Sequence, residues 1–457
     1  MYDILFLGGG PAGYEGAISA GKRGMKVGVI EKELPGGACL HRGCIPTKSL
    51  LNSVKIIGEI KTAKKIGIKI NDYEIDVKGM LKQKDRVVSK LTRGIIHLLG
   101  ESNADLIKGV GKIVSPGTIS VDNGKVYKAK NIVISTGSLP AQLPHIKFDG
   151  EYILSSDDAL LVRDIPEKLL VIGAGAIGVE LGVIYNYLGS DVTIVEIMDQ
   201  IIPGSDRELS GILAGELRKS GIKVLISTSV SDPVIDGDKK IISFKIKDES
   251  GEREEKFSKA LLSVGRIPNT SEIFSPEIGV KLDEKGFIKT GDNLLTGVKG
   301  LYACGDVIGH PLLAHKASHQ AIAIVDHILD GKEMDKMTIP GAVFTFPELA
   351  SVGITEEEAE EKISGYKVGR FPYAAGSRSN AVEKKTGMVK IIIDSNDKIL
   401  GAHILGAEAG ELLPLLTYAV SKGLKADEFR EIVFIHPTLS ENVWEALGEA
   451  GGFSIHI

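Results

Sequence analysis

The sequence predicts an α/β chain in which one strand–turn–helix–strand unit is used twice and is followed by a region of mixed α+β character. Three observations carry this. A glycine-rich turn follows an apolar strand at the start of the 457 residues, and the same pattern returns 165 residues on (173 − 8). The C-terminal stretch alternates strand-like and helix-like segments without that turn.

The first unit reads YDILFLGGGPAGYEGAISAGKRGMKVGVIE, a strand, a turn, a helix with small inward residues and a second strand ending in Glu31. Gly8, Gly10 and Gly13 form GxGxxG, with Pro11 and Ala12 opening the helix between the second and third glycines. The first glycine permits the tight turn, the second lets backbone approach a pyrophosphate, and the third lets helix pack on strand. Glu31 lies 18 residues past Gly13 (31 − 13), where a carboxylate can accept hydrogen bonds from ribose hydroxyls. Such a turn alone often serves packing.

The second copy, KLLVIGAGAIGVELGVIYNYLGSDVTIVE, repeats Gly173, Gly175, Gly178 and Glu196 at the same offset. A shared offset across turn, helix and acidic strand end points to two Rossmann-like dinucleotide sites. Glu196 favours a free 2′-hydroxyl, and no arginine follows it until Arg207, so NAD is expected over its 2′-phosphorylated form.

Between the first unit and the next helix lies GGACLHRGCIPTKSLL, with Cys39 and Cys44 separated by four residues. Pro46 suits a first helical turn and Thr47 to Val54 read as helix, which puts both sulfurs near a helix N-terminus and is expected to lower a thiol pKa. A metal would need two more ligands at compatible spacing, and His41 does not supply them, so no metal is expected. Cys304, in LYACGDV, reads as a small buried side chain behind a strand.

Near the C-terminus HPTLSE sets His436 five residues before Glu441, on a turn into the helix that carries Trp444. A lone histidine is more often structural, but a carboxylate that orients the imidazole makes His436 a competent base for thiol chemistry. From about Ile339 onward MVKIIID and GAHILG read as strands and Glu411 to Lys422 as helix, while the acidic run Glu356 to Glu361 reads as a solvated face.

Composition narrows the partners. With 55 basic and 60 acidic residues interspersed, and a net charge of −5, nothing asks for nucleic acid. No apolar run approaches the roughly 20 residues of a membrane span. The opening Tyr-Asp-Ile-Leu-Phe-Leu reads as strand rather than leader, and three cysteines fit a reducing, cytoplasmic compartment.

GGACLHRGCIPTK resembles the active-site segment of the pyridine nucleotide-disulfide oxidoreductases, and the likeness extends along the whole chain. The resemblance implies FAD at the first glycine turn and NAD at the second, with Cys39 and Cys44 as the redox disulfide and a dihydrolipoyl group as substrate. It implies that STGS (with Thr136 and Gly137) leaves the flavin domain and that GLYACGDV returns to it, Asp306 holding the flavin side chain, so that the second Rossmann-like domain is inserted in the first. Ala314 of LLAHKA and Gly265 of SVGR join the cofactor sites, Lys48 lies beside the flavin ring, and Glu180 is its ion-pair partner. Without that context Lys48 and Glu180 would read as ordinary surface residues. The expected boundaries are 1–140 and 263–335 for the FAD-binding domain, 141–262 for the NAD-binding domain and 336–457 for an α+β dimerisation domain. The resemblance further implies a homodimer whose active sites take His436 and Glu441 from the partner chain, and a lipoyl-bearing acyltransferase or glycine-cleavage carrier as protein partner. Two departures stand out: Phe434 where a second histidine is common, and SHQA after LLAHKA. Another disulfide reductase of the family, or a non-catalytic flavoprotein redox sensor, stays open as an alternative.

Overall fold

The computed structural model describes residues 1–456. The backbone forms two compact units, one from residues 1–50, 74–141 and 265–335, the other from 51–73, 142–264 and 336–457.

In the first unit, strand Tyr2–Leu7 lies parallel between Val27–Glu31 and Val126–Ile134, and Ala104–Lys108 extends the sheet beyond Val27–Glu31. Leu301–Ala303 comes back from far along the sequence to pair, parallel, with Val126–Ile134. Ile4 and Phe6 enter one apolar cluster while Leu5 and Leu7 enter another, so both faces of the strand are covered and the segment reads as an unbroken apolar run. Helices Pro11–Lys22 and Ala314–Asp330 cover the Phe6 face with Ala12, Ala17, Ala20, Ala317 and Ala321. Small residues are needed because the approach is close: a Cβ on Gly16 would stand 2.6 Å from the Phe6 ring and 3.0 Å from Ala321.

In the second unit, Lys168–Ile172 lies parallel between Asp191–Val195 and Lys259–Leu262, flanked by Lys223–Leu225 and Ile153–Leu154. A three-stranded antiparallel meander, Ser229–Asp236, Ile241–Asp248 and Gly251–Phe257, packs Phe244, Ile242 and Ile246 against that sheet. Its C-terminal part is a five-stranded antiparallel sheet in the order Gly341–Val343, Glu348–Gly353, Ile399–Gly406, Met388–Ile393, Lys367–Pro372. Strand alternation divides its faces. Val352, Phe371, Val389, Ile391, Ile393, Ala402 and Ile404 meet Leu413, Leu416, Val443 and Leu447 of helices Ala409–Lys422 and Ser440–Gly451. The opposite face carries Ser351, His403, Lys390 and Arg370, each directly across from the next on the neighbouring strand.

The strands expected at MVKIIID and GAHILG and the helix expected around Glu411 to Lys422 are therefore present. The run Glu356 to Glu361 forms helix Glu356–Lys362, but Glu356 is not a solvated residue: its carboxylate is paired with Lys390 and Arg370. Leu416 is fully buried in the apolar face. Its replacement, Leu416→Ala, should lower the unfolding free energy by about 2–5 kcal/mol, read from denaturant midpoints. A loss under about 1 kcal/mol would show that this core closes around the cavity.

Candidate active site

The two glycine turns are built alike, bond for bond. Gly8 and Gly173 take φ of 106° and 101°, a conformation open to glycine. The N–H of Gly8 donates to Ile30 O at 2.9 Å and that of Gly173 to Val195 O at 2.8 Å. A Cβ on Gly13 would lie 1.9 Å from Gly8 O, and one on Gly178 would lie 2.0 Å from Gly173 O, so neither helix could seat on its strand with any larger residue. Glu31 accepts the Gly9 N–H at 2.7 Å and the Glu33 N–H at 2.8 Å. Glu196 does the same to Ala174 at 2.7 Å and Met198 at 3.0 Å. Each carboxylate keeps lone pairs for further donors, as a ribose diol requires.

Two serines complete these turns, Ser135 from the STGS motif and Ser263, which the sequence reading did not name. Ser135 donates its hydroxyl to Gly8 O and Ser263 to Gly173 O, both at 2.9 Å. The signal was there: STG and SVG each end a strand that runs beside the glycine-turn strand.

The middle glycines behave differently from their neighbours. A Cβ on Gly175 would meet nothing within 4 Å, and one on Gly10 only Gly37 Cα at 3.8 Å. The protein's own packing does not demand glycine there, as expected where the backbone is left bare for a pyrophosphate to approach. Gly10 and Gly175 also cap helices Pro11–Lys22 and Ala176–Leu188 without a side-chain bond, leaving helix N-terminal amides to bind an anion. The residues present thus fit two dinucleotides.

Also in the first unit, Thr136 and Gly137 are tied to Asn269: the Thr136 hydroxyl donates to Asn269 O at 2.7 Å and the Asn269 N–H donates to Gly137 O at 2.9 Å. Asp306 lies in a short turn of helix after buried Cys304, and accepts the Ser138 hydroxyl at 2.6 Å. Arg266 Nε donates to that same hydroxyl oxygen at 2.7 Å, so Arg266 orients the Ser138 donor toward Asp306. Arg266 escaped the sequence reading because its partner lies 128 residues away. Gly265, with φ of 115°, precedes it, and Ala314 opens helix Ala314–Asp330. Burial pushes the Cys304 thiol up to about 12, as its buried position behind strand Leu301–Ala303 implies.

The cysteine segment is pinned to the first turn. Gly36 donates to Gly9 O at 2.8 Å, and Gly37 lies so close to Gly10 Cα that a Cβ would stand 2.6 Å from it. Cys39 belongs to a short helix, Gly37–Arg42, and Cys44 is the first residue of Cys44–Thr62. That helix begins three residues earlier than Pro46 and Thr47 suggest, because the Thr47 N–H and hydroxyl both donate to Gly43 O, at 3.1 Å and 2.6 Å. No disulfide joins the two cysteines. The expectation of a lowered thiol pKa fails at Cys39. Its hydrogen bond to Cys44 raises its pKa far above the ordinary thiol value, burial and the Cys44 charge add to this, and the Lys48 charge only partly opposes them.

In the second unit, His436 is exposed and its Nδ1 lies 2.9 Å from Glu441 Oε1. The other carboxylate oxygen accepts the Thr438 N–H at 2.8 Å, which fixes Glu441 in the first turn of Ser440–Gly451. With Nδ1–H donating to the carboxylate, Nε2 is the basic nitrogen, and it faces no hydrogen-bond partner among the described residues. Glu180 is buried on Ala176–Leu188 and its Oε1 accepts the Phe344 N–H at 2.9 Å.

Comparison with known proteins agrees with this chemistry. Residues 2–321 match the family described as pyridine nucleotide-disulphide oxidoreductase, and residues 339–447 match the dimerisation domain of that family. The chain is 41% identical over 466 residues to the mitochondrial dihydrolipoyl dehydrogenase of Pisum sativum, covering 100% of this chain and 92% of that protein. It is 38% identical over 458 residues to the dihydrolipoyl dehydrogenase of Thermus scotoductus, covering 100% and 99%. Among solved structures, LpdA from Mycobacterium tuberculosis aligns with a TM-score of 0.89 at 25% identity, over 98% of this chain and 99% of that one.

If Cys44 is what holds the proton on Cys39, Cys44→Ser should shift the pH midpoint of Cys39 alkylation downward, toward the ordinary thiol range. An unmoved midpoint would assign the effect to burial instead.

Proposed function

The chain belongs to the pyridine nucleotide-disulphide oxidoreductase family, and we propose that it oxidises protein-bound dihydrolipoyl groups with NAD, using FAD and the Cys39–Cys44 pair. The observation that carries this reading is the hydrogen-bonded thiol pair on a segment clamped to the first of two dinucleotide turns. The full-length likeness to dihydrolipoyl dehydrogenases supports the choice of substrate over that of other disulfide reductases.

The first turn with Glu31, Thr136, Gly137, Asp306 and Ala314 would hold FAD, and the second turn with Glu196 and Gly265 would hold NAD; bound there, the two would supply an acceptor for the electron pair and its removal as hydride. The domains divide accordingly, 1–140 with 263–335 for FAD, 141–262 for NAD and 336–457 for dimerisation. The matched dimerisation region contains both His436 and Glu441, which supports a homodimer in which this pair serves the dithiol of the second copy. Lys48 and Glu180 join the catalytic set, Lys48 through its charge on the thiol pair.

In the reaction, His436 Nε2 takes the proton of one substrate thiol while Glu441 orients the ring. The thiolate attacks Cys39 Sγ of the oxidised pair, the Cys39–Cys44 bond breaks, and Cys44 leaves as thiolate at the start of Cys44–Thr62, where the helix dipole favours the charge. The second substrate thiol, deprotonated in turn, attacks the substrate sulfur of the mixed disulfide and expels Cys39. The expelled Cys39 thiolate is left hydrogen-bonded to Cys44, and one proton is shared out between the pair and the His436 base. The substrate departs as a disulfide and its two electrons stay on the cysteine pair.

A lipoyl-bearing acyltransferase or glycine-cleavage carrier is the matching protein partner. No helix among the described residues is long and apolar enough to cross a membrane, and chemistry on free thiols suits the cytoplasm.

The test is an anaerobic titration of the yellow holoenzyme with dihydrolipoamide, followed by NAD. Flavin reduction and then NADH formation are expected, with neither in Cys44→Ser that keeps its FAD. His436→Gln should slow dithiol oxidation by about 10²–10⁴-fold. Faster turnover on glutathione disulfide with NADPH than on lipoamide would overturn the substrate assignment.

A further inference from the structure

The segment after each acidic strand end is clamped in the same way, yet delivers a different cargo. In the first copy Gly9 gives its N–H to Glu31 and receives Gly36 at its carbonyl, and the chain then runs into the cysteine helix. In the second copy Ala174 gives its N–H to Glu196 and receives the Ile202 N–H at its carbonyl at 2.8 Å. Ile202 takes a left-handed φ of 45°, the chain turns, and Asp206 caps helix Arg207–Lys219 by accepting the Leu209 N–H at 3.2 Å. The Ser210 hydroxyl ties the helix back to Ile201 O at 2.6 Å.

What secures the far end of this segment is a buried charge. Lys390 is fully buried on Met388–Ile393, and its Nζ lies 2.9 Å from both Asp206 oxygens, 2.7 Å from Glu208 and 2.6 Å from Glu356. Asp206 is equally buried. Arg370, directly across from Lys390, binds Glu208 at 3.0 Å and also Glu356. On the other side stands His403, whose Nε2 bonds Ile354 O at 2.8 Å. Burial lowers the His403 pKa, which leaves two cations facing three carboxylates. The cluster sits on the sheet face opposite the apolar core, so it is not needed to fill that core.

We infer that Lys390 is a positioning residue for the second dinucleotide site, acting through Asp206 to hold the segment Ile197–Asp206 and so to keep Glu196 and Ile202 on Ala174. Lys390 does not touch the turn. It fixes the N-terminus of helix Arg207–Lys219, and the helix fixes Ile201 and Ile202, whose hold on Ala174 sets the turn that meets the dinucleotide. The inference rests on the assignment of NAD to this turn.

The experiment compares steady-state kinetics in NAD with the rate of flavin reduction by dihydrolipoamide, in holoenzyme carrying Lys390→Met, Asp206→Asn or Glu196→Ala. Lys390→Met should raise the KM for NAD by about tenfold with little change in kcat, and flavin reduction by dithiol should keep its wild-type rate. Asp206→Asn keeps the helix cap and leaves Glu208 and Glu356 for Lys390, so its KM should rise by only about threefold. A purely structural role would lower stability and both half-reactions together. Wild-type KM in folded Lys390→Met overturns the inference; if that variant does not fold, wild-type KM in Asp206→Asn does so. Glu196→Ala separates the two levels: if it leaves NAD binding intact, the assignment of this turn to NAD fails, whereas if it weakens binding while Lys390→Met does not, only the role of Lys390 fails.

Discussion

Everything in this chain that handles a dinucleotide depends on one close approach, the carbonyl of the first glycine of each turn lying where a side chain at the third would have to be. At Gly13 and Gly178 the space for a Cβ is already taken by Gly8 O and Gly173 O. That contact seats the helix on the strand end, and the seat points the helix amides at the space in front of the turn. Ser135 and Ser263 brace the same carbonyls from the neighbouring strand. The acidic strand end then bonds the second residue of the turn, so four elements converge on a few backbone atoms.

From this shared frame the two copies diverge just beyond the acidic residue. In the first, the clamped segment leads to Cys39 and Cys44, which are thereby fixed relative to the first glycine turn without a domain of their own. In the second it leads to Asp206 and the cluster around Lys390. The thiol pair and the buried lysine cluster are in this sense two uses of one loop position. The paired thiols fit this economy: the hydrogen bond between them raises the Cys39 pKa, so the two sulfurs act as one unit.

Much of this was legible in the sequence because it is local. The offset of 165 (173 − 8) exposed both turns, and Glu31 and Glu196 stand where strand length puts them. His436 and Glu441 are close enough in sequence for a turn to pair them, and they do pair. What could not be read depends on distant partners. Arg266 and Ser138 are 128 residues apart, and Lys390 and Asp206 are 184 apart. Glu356 looked like part of a solvated acidic face because its neighbours in sequence are acidic, while its neighbours in space are Lys390 and Arg370. The helix start at Cys44 was missed because Thr47 reaches back to Gly43 O, a bond that propensity at Pro46 does not reveal.

The five-stranded sheet has one further property, which belongs to folding rather than to catalysis. Met388–Ile393 is nearly all aliphatic, and such a strand could pair in more than one alignment with its neighbours. Lys390 removes that freedom. A slip of one residue would turn its ammonium into the cluster of Ile404, Leu416 and Leu447 and would bring Ile391 against Asp206 and Glu356, an exchange unfavourable at both ends. The row Ser351, His403, Lys390 and Arg370 thus works as a key across four strands, admitting one register and rejecting those shifted by one.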